Sequence, residues 1–184
     1  MITGLRVGEL CALTWDRVDL EKKVIHISKT VYNPNNNKNE TLLVPPKNKS
    51  SIRFVDIDDH LIRLLKEHKV KQNKHKMELR KDYIDNGFVF AKEFGEAEIV
   101  KKIETRMNLL LRIADLDPSF SPHTLRHTHT TMLREKRVEF EYIQARLGHA
   151  KGSHVTNSTY IHQTEQQKKE ATAKINSLSE SFII

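Results

Sequence analysis

The chain has 184 residues, enough for one ordinary domain with a hydrophobic core and too few for two large domains. Lysine and arginine outnumber aspartate and glutamate by 31 to 24, and the resulting net charge of +7 favours a polyanionic partner without identifying it. The single cysteine, Cys11, excludes a disulfide framework and a thiolate metal cluster and fits a reducing cytoplasm. The N-terminus lacks the pattern of a signal peptide and no apolar run approaches roughly 18 residues, which argues against a membrane function.

The first half of the chain predicts one helix followed by three short strands. Leu5, Leu10 and Leu13 lie at helical spacing near the beginning of the chain. Three runs rich in β-branched residues follow, "KVIHISKTVY", "ETLLVPP" and "SIRFVDI". The polar segments between them have the composition of turns, so the three runs predict a small antiparallel meander.

The second half predicts mostly helices. The segment "DDHLIRLLKEHKVKQNKHKMEL" combines leucines at helical spacing with a strongly basic outer face, and "EAEIVKKIETRMNLLLRIADL" and "FEYIQARL" are further amphipathic segments. The whole pattern predicts an α+β fold that is mostly helical, with a small three-stranded antiparallel sheet.

The stretch "SPHTLRHTHTTML" predicts the beginning of a helix that is rich in positive charge. Ser121 is a suitable N-cap, and Pro122 fits the first helical position, where no backbone N–H is needed. His123, Arg126 and His127 then share one helix face. Because a helix N-terminus is already electropositive, this concentration of basic side chains indicates an anionic ligand.

Six charged or polar residues beside structural breaks make up a chemically reasonable site for phosphoryl transfer. Paired arginines bind the non-bridging oxygens of a phosphate, lysine and histidine transfer protons, and a tyrosine can attack phosphorus. Spacing alone does not select this set. Its members are Arg6, Lys47, His123, Arg126, His149 and Tyr160.

Five motifs in a fixed order resemble the catalytic domain of the tyrosine recombinases, most closely the integrases of phages and conjugative transposons. Each motif alone is weak, but the five together are specific, and they extend from Thr3 to His162. The motifs are "TGLRVGELCALTWDRVDL", "PPKNKSSIRFVDI", "SPHTLRHTHTTML", "ARLGHA" and "STYIH".

The resemblance implies a role for each residue that would bind the phosphate. Arg6 and Arg126 would clamp the scissile phosphate, with Glu9 orienting the guanidinium of Arg6. His123 would handle a proton, and His149 would hydrogen-bond a non-bridging oxygen.

The resemblance also implies the leaving-group acid and the nucleophile. Lys47 would protonate the leaving 5′ oxygen, although Lys49 lies on the same turn and stays an alternative. Tyr160 would form the 3′-phosphotyrosine, with Tyr142 and Tyr83 as rivals.

The remaining histidines are expected to be structural or solvated. His127 is expected to support the site without taking part in chemistry, and His129 is expected to face solvent. His123 and His127 have a spacing that can bind zinc, but the glutamate of the metalloprotease motif is absent. The expectation is therefore that the protein uses no metal and no cofactor.

The function implied by the resemblance is that of an enzyme, a site-specific DNA recombinase acting as the integrase of a mobile element. It would cleave and rejoin DNA strands through a 3′-phosphotyrosine intermediate. Two alternatives stay open, a fragment or relative that binds DNA without cutting it and an enzyme that relaxes DNA like a type IB topoisomerase.

The same resemblance implies a domain plan and a set of partners. Residues 1–163 are expected to form the catalytic domain, without its first helices and without an upstream DNA-binding domain. Residues 164–184 are expected to form a tail that docks on a neighbouring protomer or folds back on its own domain. The expected partners are double-stranded DNA attachment sites, further copies of the chain in a homotetramer on that DNA, and an accessory directionality protein. The expected location is the bacterial cytoplasm, at the nucleoid when DNA is bound.

Overall fold

The computed structural model describes residues 2–34, 40–46, 48–149, 170 and 172–177. The helices are α1 (Val7–Cys11), α2 (Asp59–Leu79), α3 (Val100–Ile113), α4 (Pro122–Glu135) and α5 (Phe140–Leu147), and residues 172–177 are also helical. The strands are β1 (Val18–Asp19), β2 (Val24–Ile27), β3 (Thr30–Tyr32), β4 (Leu42–Val44) and β5 (Arg53–Asp56). Short 3-10 turns cover Trp15–Arg17, Lys49–Ser51 and Arg80–Asp82. Across these described segments, none of the helices has the length and apolar character needed to cross a membrane.

The predicted α+β class with a small three-stranded antiparallel sheet is confirmed, but the strands pair differently from the predicted meander. The three-stranded sheet has the order β1-β2-β5, whereas β3 and β4 form a separate two-stranded ribbon. The first predicted run is therefore divided between two sheets. Burial explains the difference: Ile25, Ile27 and Val55 are buried on β2 and β5, whereas Leu42 and Leu43 on β4 are exposed. A strand without a buried face gains little from pairing inside the core sheet.

The buried face of the three-stranded sheet packs against α2. Its apolar residues form one continuous core with the first turns of α2, with the segment that follows α1 and with the segment around Val89. The members are Leu13, Ile25, Ile27, Val55, Ile57, Ile62, Leu65 and Val89.

A second core holds α4 and α5 together, and the helical residues near the end of the chain join it. Ile175 is 1% exposed and belongs to the same apolar cluster as Leu133 and Leu147. Lys174 Nζ also donates to the carbonyl oxygen of Arg137 at 3.0 Å. Residues 172–177 of the predicted tail thus pack against α4 and α5 of the same chain. Most of residues 164–184 lie outside the described residues. The predicted division into domain and tail stays a prediction.

Candidate active site

The beginning of α4 has the cap that the sequence predicts. Ser121 Oγ accepts the backbone N–H of Thr124 at 3.3 Å, and Thr124 Oγ1 accepts the backbone N–H of Ser121 at 3.2 Å. Pro122 occupies the first turn. This reciprocal capping box fixes where the helix begins, so His123 is exposed in the first turn and Arg126 is buried one turn later.

Arg6 and Arg126, the two predicted phosphate-binding arginines, converge on one carbonyl group. Arg126 donates through Nη2 to the oxygen of Leu147 and through Nη1 to the oxygen of Gly4. Arg6 donates through Nη1 to the same Leu147 oxygen at 3.3 Å and through Nη2 to the oxygen of Gly148 at 3.2 Å. The C-terminal end of α5 therefore brings the two guanidinium groups side by side.

The two arginines interact through their charges. Burial, followed by the positive charge of Arg6, lowers the pKa of Arg126 to about 10. Arg126 still carries its charge at neutral pH, because that value lies well above 7. Two like charges held together in this way raise the local positive potential, which favours the binding of an anion such as a phosphodiester.

Glu9 makes the predicted contact with Arg6. Its Oε1 accepts from Arg6 Nη1 at 2.9 Å, and its Oε2 accepts the backbone N–H of Arg6, also at 2.9 Å. The side chain of Glu9 is 2% exposed, whereas that of Arg6 is 40% exposed. The carboxylate therefore holds the arginine from the protein side and leaves part of the guanidinium open to a ligand.

Arg53 is part of the same group, although the sequence motifs did not indicate it. Its Nη1 donates to Glu9 Oε1 at 3.0 Å, and its Nη2 donates to Glu9 Oε2 at 2.9 Å. Burial raises the pKa of Glu9, but the hydrogen bonds and charge of Arg53, together with hydrogen bonds from Arg6, outweigh it and hold that pKa below its usual value. Alternation along β5 was the available signal, since Arg53 lies on the same strand face as the buried residue Val55.

His149 lies two residues after the end of α5, and the glycine between them makes that position possible. Gly148 has a left-handed φ of +62°, and a Cβ there would lie 2.9 Å from Arg53 Nη1 and 3.0 Å from the oxygen of Ser50. Desolvation, then the positive charges of Arg126 and of Arg6, lower the pKa of His149. His149 is thus a neutral hydrogen-bonding group near both arginines at neutral pH.

His123 and His127 lie together on the exposed face of α4. Their rings are 4.6 Å apart between centroids and meet edge to face. Both side chains are exposed, so either ring is accessible to a ligand on this surface.

The expectation that His129 faces solvent is wrong. His129 is 3% exposed, and its Nε2 accepts from Nε of Arg146 at 3.2 Å. Burial, followed by the charge of Arg146, lowers the pKa of His129 to about 3, so the ring is neutral. The reason is helical geometry: His129 lies three residues after Arg126 and shares its buried face.

The two rival tyrosines occupy structural positions. Tyr142 is buried and donates its hydroxyl to Asp56 Oδ2 at 2.6 Å, and burial raises its pKa. Tyr83 packs edge to face against His75 and lies under Lys76 Nζ at 5.5 Å from the ring centroid. Burial raises the pKa of Tyr83 as well. A phenol with a raised pKa is a poorer nucleophile at neutral pH.

Two predicted site residues, Lys47 and Tyr160, lie outside the described residues. The alternative lysine, Lys49, is exposed at the beginning of the 3-10 turn Lys49–Ser51. The assignments of Lys47 and Tyr160 stay predictions. Within the described part of the chain, no group of three or more histidine, cysteine, aspartate or glutamate side chains is arranged to hold a metal ion.

The fold is an α+β domain that holds two guanidinium groups side by side, and comparison with known proteins gives its family. The family model described as "Phage integrase family" matches residues 1–167, and the chain belongs to that family.

Curated relatives agree with the family. The chain is 33% identical to a "Tyrosine recombinase XerC-like" protein of Caldanaerobacter subterraneus subsp. tengcongensis, a match that covers 96% of this chain and 47% of that protein. It is 30% identical to the integrase of Staphylococcus phage L54a, with 96% and 49% covered. The chain thus spans about half the length of these curated relatives.

Solved structures agree on the fold. The Tn1549 transposon integrase in complex with transposon right end DNA superposes with a TM-score of 0.68 at 24% identity, covering 96% of this chain and 56% of that one. XerA recombinase superposes with a TM-score of 0.60 at 25% identity, covering 94% and 53%.

Proposed function

We propose that this chain is the catalytic part of a site-specific DNA recombinase of the integrase type, which cleaves and rejoins DNA through a 3′-phosphotyrosine. Membership of the Phage integrase family and likeness to proteins named recombinase and integrase support the proposal. The observation that carries it is the convergence of Arg6 and Arg126 on the carbonyl of Leu147.

Several of the described residues support the proposed binding of the scissile phosphate. The partly exposed guanidinium of Arg6 and the neighbouring Arg126 contribute two fixed positive charges toward the non-bridging oxygens. The imidazole groups of His123 and His149 add hydrogen-bonding groups, and the N-terminal end of α4 adds its partial positive charge. These groups stabilise the negative charge that accumulates on the oxygens as phosphorus is attacked.

The proposed chemistry is one in-line displacement. The phenolic oxygen of Tyr160 forms a bond to phosphorus, the bond from phosphorus to the 5′ oxygen breaks, and its electron pair stays on that oxygen. Lys47 donates a proton to the leaving 5′ oxygen, and His123 accepts the phenolic proton. Since one phosphoester replaces another, a 5′ hydroxyl can reverse the step and rejoin the strand without a nucleotide cofactor.

The proposal extends to partners and location. The substrate is a double-stranded DNA attachment site, and the net charge of +7 favours contact with its phosphates. The active assembly is a homotetramer on that DNA in the cytoplasm of a bacterial cell, with an accessory protein that sets direction. Mass measurement of the chain with and without attachment-site DNA tests the tetramer.

Covalent trapping tests the reaction. The chain and a Tyr160→Phe variant are incubated with nicked duplexes that tile the DNA flanking the coding gene, and the products are separated under denaturing conditions. A protein–DNA adduct that forms with the wild-type chain, is lost in the variant and maps to the Tyr160 peptide is the expected result. An adduct that persists in Tyr160→Phe contradicts the assignment of the nucleophile. DNA binding without an adduct on a verified site contradicts the enzymatic proposal, and relaxation of supercoiled DNA regardless of sequence favours the topoisomerase alternative.

A further inference from the structure

We infer that Arg53 is a positioning residue for catalysis: it neutralises Glu9 and so keeps the guanidinium of Arg6 available to the scissile phosphate. The inference rests on the proposed recombinase function. Arg53 lies behind the site and takes no direct part in the bond-forming and bond-breaking steps.

The side chains of Arg53, Glu9 and Arg6 differ in their exposure to solvent, and this indicates which of them a ligand can reach. The side chain of Arg53 is 6% exposed and that of Glu9 is 2% exposed, whereas that of Arg6 is 40% exposed. Arg53 is therefore enclosed by protein, and each of its three guanidinium nitrogens donates to an acceptor of the protein itself. Any effect of Arg53 on the reaction has to pass through the groups that it holds.

The hydrogen bonds show how Arg53 acts on Glu9. Each terminal nitrogen of Arg53 donates to a different oxygen of the carboxylate, at 3.0 and 2.9 Å. Such a forked pair is the strongest arrangement available to a carboxylate and an arginine. Arg6 shares only Oε1 through its side chain, because its other terminal nitrogen donates to the carbonyl of Gly148.

The charges explain why this matters for a phosphate. One carboxylate lies between two guanidinium groups, so the trio of Arg6, Glu9 and Arg53 carries a net charge of +1. Without Arg53, the buried carboxylate would keep Arg6 as its cationic partner in this trio and would neutralise it. A phosphate would then compete with Glu9 for the same guanidinium in a site of low dielectric constant, where such competition is strong.

Arg53 also fixes the backbone around the site. Its Nε donates to the carbonyl of Arg146 at 2.6 Å, and its Nη1 donates to the carbonyl of Ser51 at 2.9 Å. The first contact lies one residue before Leu147, whose oxygen both phosphate-binding arginines share. The second lies on the 3-10 turn that follows position 47. One side chain therefore links α1, the end of α5 and the turn near the predicted lysine.

A charge-compensation experiment tests the inference. The rate constant for adduct formation is measured in a single turnover at saturating nicked DNA, and the amplitude is analysed separately because it reports the folded fraction. Arg53→Met is expected to lower the rate constant by about 100-fold, the size of effect that small displacements of catalytic groups produce. Arg53→Lys, which keeps the charge without the fork, is expected to lie between Met and wild type. The double variant Glu9→Gln with Arg53→Met is expected to recover at least tenfold over Arg53→Met, because the uncompensated carboxylate is gone.

The controls separate this role from others. Arg63→Met removes an exposed arginine on α2 and is expected to leave both rate constant and amplitude unchanged. A reduced amplitude with a wild-type rate constant in Arg53→Met would show a purely structural role and overturn the inference. A double variant no faster than Arg53→Met would overturn it as well. Failure of the proposed function looks different, since the wild-type chain would then form no more adduct than Tyr160→Phe.

Discussion

Arg6 and Arg126 donate to the same atom, the carbonyl oxygen of Leu147, although one precedes α1 and the other lies in α4. A carbonyl oxygen has two lone pairs and accepts both donors. The end of α5 therefore sets the spacing between two guanidinium groups from distant parts of the sequence.

Replacement of Arg126 by lysine tests the pair directly. Lysine keeps the positive charge but cannot reach the carbonyls of Gly4 and Leu147 with a planar fork, so the charge is misplaced. We expect the single-turnover rate of adduct formation to fall by about 100- to 1000-fold, the effect of removing one donor to transition-state charge. Arg134→Lys on the exposed face of the same helix is the matched control. Equal rates for the two variants would contradict the assigned role of Arg126.

Gly148→Ala tests the fit of the turn before His149. An alanine there is expected to destabilise the fold in two ways, through its left-handed backbone and through a Cβ 2.9 Å from Arg53 Nη1. Gly87→Ala is a matched control, because Gly87 also has a positive φ of +74° but a Cβ there meets nothing within 4 Å. Both variants carry the backbone cost of roughly 1–2 kcal/mol in the free energy of unfolding. Urea denaturation is expected to show a larger loss for Gly148→Ala, and equal losses would argue against a tight contact with Arg53.

The Glu9 carboxylate predicts a loss of stability in acid. Its pKa in the folded chain lies below the ordinary value of 4.5, so folding is favoured by the ionised form. This contribution is fully present above pH 4.5 and is lost as the pH falls through the lower folded value. Urea unfolding from pH 7 to pH 3 is expected to show this loss, and Glu9→Gln is expected to remove that part of the dependence. A Glu9→Gln curve parallel to wild type would contradict the ion pair with Arg53.

His129 predicts a separate pH dependence at higher pH. Its pKa is about 3 in the folded chain against an ordinary 6.5, so between these values the unfolded chain binds a proton that the folded chain does not. The free energy of unfolding therefore rises with pH in this window, by up to about 1.4 kcal/mol per pH unit. Unfolding measured between pH 6.5 and 5 lies above the range of Glu9, and comparison with a variant that does not titrate at position 129 separates His129 from His149, whose pKa is also lowered. His129→Gln keeps an acceptor for Arg146 without titrating, and the slope is expected to fall in this variant. An unchanged slope would mean that His129 is protonated in the fold.

Tyr142→Phe separates the buried rival from the predicted nucleophile. Loss of the hydroxyl leaves Asp56 Oδ2 without this donor, and a decrease of about 1–3 kcal/mol in the free energy of unfolding is expected. The rate constant of adduct formation is expected to stay at the wild-type value, since Tyr160 is the proposed nucleophile. A variant that folds but forms no adduct would instead assign the nucleophile to Tyr142.

The sequence predicts the local parts of this site well and the long-range parts poorly. Ser121 and Pro122 define the beginning of α4 through contacts within a few residues, so the cap and the face of His123 and Arg126 follow from local rules. The ion pair of Arg53 with Glu9 joins residues 44 positions apart. It exists because the fold brings these two distant side chains together, and no short motif encodes that contact.

The strand pairing escaped prediction for a related reason. The three runs have similar strand propensity, and the choice among partners depends on which strand offers a buried face to α2. Five ordered motifs nevertheless indicated the family. The order of motifs along the chain reflects the whole fold, whereas strand propensity reflects only residues that are adjacent in sequence. Lys47 and Tyr160 lie outside the described residues, and their assignment depends on that family resemblance alone.

The shared acceptor at Leu147 is a backbone atom, so the backbone and the side chain of this residue have separate roles. Its carbonyl holds the two arginines, while its fully buried side chain fills the second core. Substitution of the side chain cannot delete the oxygen, so position 147 can exchange one apolar residue for another of similar volume without removing the acceptor. Apolar substitutions in the second core can therefore accumulate while Arg6 and Arg126 keep their shared acceptor.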